Sequence, residues 1–95
     1  MLTREQIKDA IYKIAPQYSI EQVYLFGSYA RGDATEESDV DFRIVGGNFP
    51  SLYEIGGLYE DLIESLDKKI DVVFTKNLRF DFYTMIKDDE VMVFG

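Results

Sequence analysis

Ninety-five residues, 46% of them hydrophobic, can bury one small core, so the chain is read as a single domain over residues 1–95. A net charge of -8 disfavours direct nucleic-acid binding, and no apolar run is long enough to span a membrane, which points to a soluble cytoplasmic protein. With neither cysteine nor histidine, disulfides, thiolate sites and imidazole chemistry are excluded, and any metal or acid–base work falls to carboxylates, lysine, tyrosine or water, a set suited to Mg2+.

Thr3 and Gln6 have capping-box spacing, and Ile7, Ala10, Ile11 and Ile14 recur at helical intervals up to Pro16, so a first helix is expected over about Thr3 to Ala15. Glu21 to Phe26 is apolar, ends at Gly27, and reads as a strand covered on both faces. Ser28 to Arg31 fits one helical turn closed by Gly32, before a polar loop from Asp33 to Ser38 and a second strand from Asp39 to Val45. Ser51 and Glu54 repeat the capping box ahead of the clearest helix, which runs to Leu66 and is striped by Leu52, Ile55, Tyr59, Leu62, Ile63 and Leu66. Gly56 and Gly57 within it each cost about 1 kcal/mol relative to alanine, either tolerated or offset by a close approach to the sheet. Ile70 to Thr75 reads as a third, buried strand, Asn77 as the cap of a last helix to about Lys87, and Val91 to Phe94 as an edge strand.

This order predicts an α/β (α+β) domain, a small mixed β-sheet with flanking helices. An antiparallel second strand would bring Asp39 beside the Gly27–Ser28 turn, and a helical crossover would let the third strand run parallel to the second, starting Asp71 at the same end.

Residues two apart on a strand share a face, so Asp39, Asp41 and Arg43 project together while Val40, Phe42 and Ile44 point the other way. Two carboxylates so close repel each other, and a divalent cation relieves that repulsion. Gly27 leaves room for a phosphate to approach the backbone, and Ser28 supplies a hydroxyl donor at the start of the helical turn, where it would also serve as a cap. Together these parts suit two-metal phosphoryl transfer.

The pattern Gly27-Ser28, ten residues, Asp39-x-Asp41 resembles the signature of the polymerase-β-like nucleotidyltransferase superfamily. The run FGSYARGDATEESDVDF is similar to its smallest branch, the minimal nucleotidyltransferase (MNT) proteins, antitoxins of HEPN-domain ribonuclease toxins. The resemblance implies that Asp39 and Asp41 ligate two Mg2+ ions, that Asp71 completes the metal site and helps deprotonate the acceptor, and that Gly27 and Ser28 hold the triphosphate of ATP. It further implies transfer of AMP to a tyrosine hydroxyl of the HEPN toxin, with pyrophosphate released. A chain this short is expected to take the rest of its pocket from a partner. Two other readings are an antitoxin that blocks its toxin sterically and a nucleotidyltransferase acting on a small molecule.

Blander roles stand beside these. Asp71 could pair with Lys68 or Lys69, Arg31 could meet phosphate or an acid of the following loop, and Arg43 could neutralise Asp41 or Asp71 or touch nucleotide. Asp33 to Glu37 and Asp88 to Glu90 read as solvated loops, and Tyr53, Tyr59 and Tyr83 as possible partner anchors.

Overall fold

A computed structural model describes all residues, Met1–Gly95. Helix α1 (Arg4–Ile14) starts at the expected capping box, with the Thr3 hydroxyl accepting from the Gln6 amide and the Gln6 side chain accepting from the Thr3 amide. Pro16 does not end the helical path at once: Ala15–Tyr18 tightens into a 3-10 turn, which accepts a proline near its start. Then follow β1 (Ile20–Phe26), the one-turn α2 (Ser28–Arg31), β2 (Val40–Gly46), α3 (Leu52–Leu66), β3 (Ile70–Phe74), α4 (Phe80–Ile86) and β4 (Val91–Phe94).

The four strands form one sheet in the order β3-β2-β1-β4. β1 is antiparallel to β2 and to β4, and β2 is parallel to β3, the directions expected from the connections. Alternation along the strands sorts the side chains onto two faces. Val23, Leu25, Val40, Phe42, Ile44 and Ile70 enter the main core with Ile7 and Ile11 of α1 and Leu58 and Leu62 of α3. The opposite face carries Tyr24, Phe26, Asp41, Arg43, Asp71 and Val73 and is met by α4, through Phe82 against Phe26 and Tyr83 over Arg43. β1 is thus covered on both faces, as expected.

Three expectations are corrected, and one alternative left open is decided. Asn77 caps no helix: it closes a 3-10 turn, Thr75–Asn77, whose end is tied by the Leu78 amide to the Thr75 carbonyl, and α4 begins only at Phe80 with Arg79 at its cap. The α3 stripe is rotated, with Leu58, Leu62 and Leu66 buried while Leu52 and Ile63 are exposed. Gly57 faces Tyr18 and Gly56 faces open space, so neither marks an approach to the sheet. β3 is a half-exposed edge strand rather than a buried one. Its outer rim is partly paired by the Tyr59 hydroxyl, which donates to the Val72 carbonyl and accepts from the Val72 amide.

Candidate active site

The strand register builds a row of chemistry at one end of the second face. Phe26 stands opposite Asp41, and Asp41 stands opposite Asp71. The chain turns at Gly27 immediately after Phe26, so this turn and both carboxylates share one sheet end. Gly27 has φ 74° and ψ -154°, and a Cβ there would collide with Oδ2 of Asp41 and lie 3.2 Å from its Cγ. The Asp41 carboxylate therefore occupies the space that the missing side chain leaves, which is why glycine is required at this position.

From that turn α2 rises for a single turn. Ala30 and Arg31 donate their amides to the Gly27 carbonyl, and Gly32 closes the helix in the left-handed region. Gly27, not Ser28, is the cap residue, and the helix start has no side-chain cap. The Ser28 hydroxyl, at the first helical position, therefore does not cap this helix. Tyr29 and Ala30 are buried and fix α2 against the core.

The electrostatics match this crowding. Burial, followed by the charges of Asp71 and Asp39, pushes the Asp41 carboxyl up to about 6, against an opposing pull from Arg31. Asp39 is partly exposed, with Lys69 Nζ 3.8 Å from its Oδ2. Lys69 thus pairs with Asp39 rather than with Asp71, and Lys68 turns away to the Glu36 carbonyl. Arg31 takes up the loop pairing, with Asp33 at 3.3 Å and Asp89 at 3.9 Å, on the rim of the site.

Arg43 does not neutralise Asp41 or Asp71. Its guanidinium donates to both carboxylate oxygens of Glu90, at 2.6 and 2.9 Å, and to Thr75 Oγ1 at 2.9 Å, between the rings of Tyr24 and Tyr83. Both partners are buried, and the Glu90 carboxylate holds Arg43 more firmly in its charged form. Glu90 accordingly leaves the solvated run assigned to Asp88–Glu90. Tyr59 and Tyr83 are likewise committed within the fold, whereas Tyr53 remains exposed. Glu90 and Tyr59 support the site, and neither was singled out from the sequence for that role; the one readable hint was a single arginine on an otherwise acidic strand face.

The donor set fits a hard cation that keeps open positions. No three acidic side chains converge tightly enough to enclose an ion by themselves. Mg2+ ordinarily takes one or two carboxylates and fills its octahedron with water and substrate phosphate, and neighbouring carboxylates that raise the pKa of Asp41 are relieved by such a charge.

Residues 6–95 match the family described as polymerase beta, nucleotidyltransferase. The chain belongs to this family. This nucleotidyltransferase is 32% identical over 83 residues to the protein adenylyltransferase MntA of Thermococcus cleftensis, covering 83% of this chain and 84% of that protein. Its fold matches a chain of a toxin–antitoxin crystal structure with AMP-PNP, at a TM-score of 0.76 and 21% identity, over 99% of this chain and 74% of that one. It also matches a chain of the complex of the tri-AMPylated Shewanella oneidensis HEPN toxin with its MNT antitoxin, at a TM-score of 0.74 and 18% identity, over 98% and 73% of the two chains.

Proposed function

We propose that this nucleotidyltransferase is an antitoxin that transfers AMP from ATP to a tyrosine hydroxyl of a cognate HEPN ribonuclease, by two-metal catalysis with Mg2+. The observation that carries this reading is the fit of the Asp41 carboxylate into the space left by Gly27, with Asp71 opposite Asp41 in the register. In this reading the turn that would hold phosphate and the carboxylates that would hold metal lie at one end of the sheet, next to each other. The relative named a protein adenylyltransferase and the MNT–HEPN complex of the same fold support the choice of nucleotide and acceptor.

In this reading Gly27 and Ser28 receive the β- and γ-phosphates, with Arg31 beside them once it exchanges Asp33 for phosphate. Asp39 and Asp41, with Asp71 completing the site, would hold the cations, which when bound would supply charge neutralisation at the α-phosphate and lower the pKa of the acceptor hydroxyl. Asp71, across from Asp41, accepts the acceptor's proton. The acceptor oxygen forms a bond to the α-phosphorus as the bond to the bridging oxygen breaks, and pyrophosphate departs on the α2 side.

Incubation with ATP, Mg2+ and a cognate HEPN protein, sought in the adjacent reading frame, should give that protein one or more AMP adducts on tyrosine by mass spectrometry. The combined substitution Asp39→Ala and Asp41→Ala should abolish the adduct. Neutralisation of the ribonuclease without any adduct would replace this reading by a steric antitoxin, and AMP transfer to an aminoglycoside by the isolated chain would replace it by a small-molecule enzyme.

A further inference from the structure

We propose that α4 and the grooves beside it form the docking surface for the acceptor protein, which would seat an apolar segment there. The identity of that occupant rests on the adenylyltransferase reading above.

α4 has the sequence FDFYTMI, and none of its residues is buried. Phe80 is 79% and Met85 75% exposed, and Phe82 also reaches the surface. Three large apolar side chains exposed within one seven-residue helix give it a contact surface beside the two grooves described below. Nor is this helix loosely attached. Phe82 meets Phe26 edge-on at 6.1 Å, Tyr83 lies 5.1 Å from the Arg43 guanidinium, and Arg43 is locked to Thr75 before α4 and Glu90 after it. A firmly held helix with outward aromatic and thioether groups is preorganised for a partner.

Two grooves flank it. One, of about 350 Å³, is lined by Val73, Phe74, Asn77, Leu78, Arg79 and Phe82; the other, of about 320 Å³, lies between Leu78, Phe80 and Tyr83 above Arg43. Each is large enough for an anchoring aliphatic or aromatic side chain.

Position selects the occupant. Val73 follows Asp71 by two residues on the same strand face, so the first groove opens roughly 7 Å from the proposed base. The phosphate end of the site lies on the β1 side, at Gly27 and α2. In-line displacement brings the attacking oxygen from the side opposite the leaving pyrophosphate. The acceptor hydroxyl therefore arrives over β3, and the protein carrying it must lie across β3 and α4.

The test is the double substitution Phe80→Ser and Met85→Ser, at two exposed positions outside the catalytic set. With the cognate HEPN protein as acceptor, KM for that protein should rise about 30-fold or more, as when interface anchors are removed. At saturation kcat should stay within about twofold, and KM for ATP and Tm should hold. Binding of the same protein to the Asp39→Ala, Asp41→Ala form, which turns nothing over, should weaken by the same factor when the two serines are added. If the natural chain transfers no AMP, the adenylyltransferase reading fails, yet weaker binding by the serine variant would still support the surface. Unchanged acceptor KM and affinity, or no binding by either form, would overturn it. Lost ATP affinity would assign the grooves to the nucleotide, and a dimer dissolved by the serines with partner affinity intact would assign α4 to a second copy; either result overturns the proposal.

Discussion

At position 27 a single missing side chain serves both conformation and chemistry. The backbone there sits at φ 74°, where any side chain is strained, and the space a Cβ would fill holds the Asp41 carboxylate. Gly27→Ala is therefore expected to cost about 1–3 kcal/mol of stability, measured by denaturant unfolding, because it enters a sparsely allowed region. It should also lower AMP transfer about 100-fold, since an ångström of misplacement of a reacting group has that effect. A stable and fully active Gly27→Ala protein would show that the turn and the carboxylate are not coupled. This residue was legible in the sequence because Gly27, Ser28, Asp39 and Asp41 lie close together in the chain and their spacing alone carries the signal. Glu90 was not. Its partner Arg43 is 47 positions away, and Asp88–Asp89–Glu90 reads as solvated until the sheet is assembled and Arg43 becomes its only buried cation.

Elements show the same division between local and assembled information. Both capping boxes formed as read, because a cap and its third residue specify a helix start without help from the rest of the chain. The buried face of α3 was harder to read, since apolar residues occur on several sides of that helix and only the packing of α1 and the sheet selects Leu58, Leu62 and Leu66. The two glycines within α3 make this selection measurable. A Cβ at Gly56 meets nothing within 4 Å, so Gly56→Ala should stabilise the protein by about 1 kcal/mol through helix propensity. A Cβ at Gly57 would lie 2.9 Å from the Tyr18 hydroxyl, which donates to Asp61 at 2.7 Å. Burial and that bond push the Tyr18 hydroxyl up to about 12, so it stays protonated and engaged at neutral pH. Gly57→Ala must displace it, and its gain should be smaller than that of Gly56→Ala or reversed. Equal stabilisation by the two alanines, in thermal melts run side by side, would show that Tyr18 yields freely.

For the molecule as a whole, strand directions were readable from connection lengths, but the side of the sheet that α4 covers was not, because α4 has no buried stripe to orient it. That half-covered face leaves the acidic end of the sheet in tension, and the tension is open to titration. In the cation-free fold Asp41 holds its proton up to about 6, whereas in the unfolded chain it releases it near 3.8. Between those values the folded state binds more protons than the unfolded one, so the contribution of Asp41 to stability falls as pH rises from about 4 to about 6, and the loss is complete above that. In full the displacement would amount to about 3 kcal/mol; solvent screening at this half-buried carboxyl reduces it to about 1 kcal/mol, or roughly 5 °C in Tm for a chain of this size. Asp41→Asn has no such proton to lose. The difference in Tm between the natural protein and Asp41→Asn should therefore move against the natural protein by about two thirds of that amount from pH 4.5 to pH 7 without divalent cation. Millimolar Mg2+ with ATP should offset the loss at pH 7 and do little at pH 4.5, where the proton and the cation compete for the same carboxylate. A Tm difference that is flat with pH, with or without Mg2+, would mean that Asp41 is not under the strain its neighbours impose and would remove the physical reason for placing a cation there.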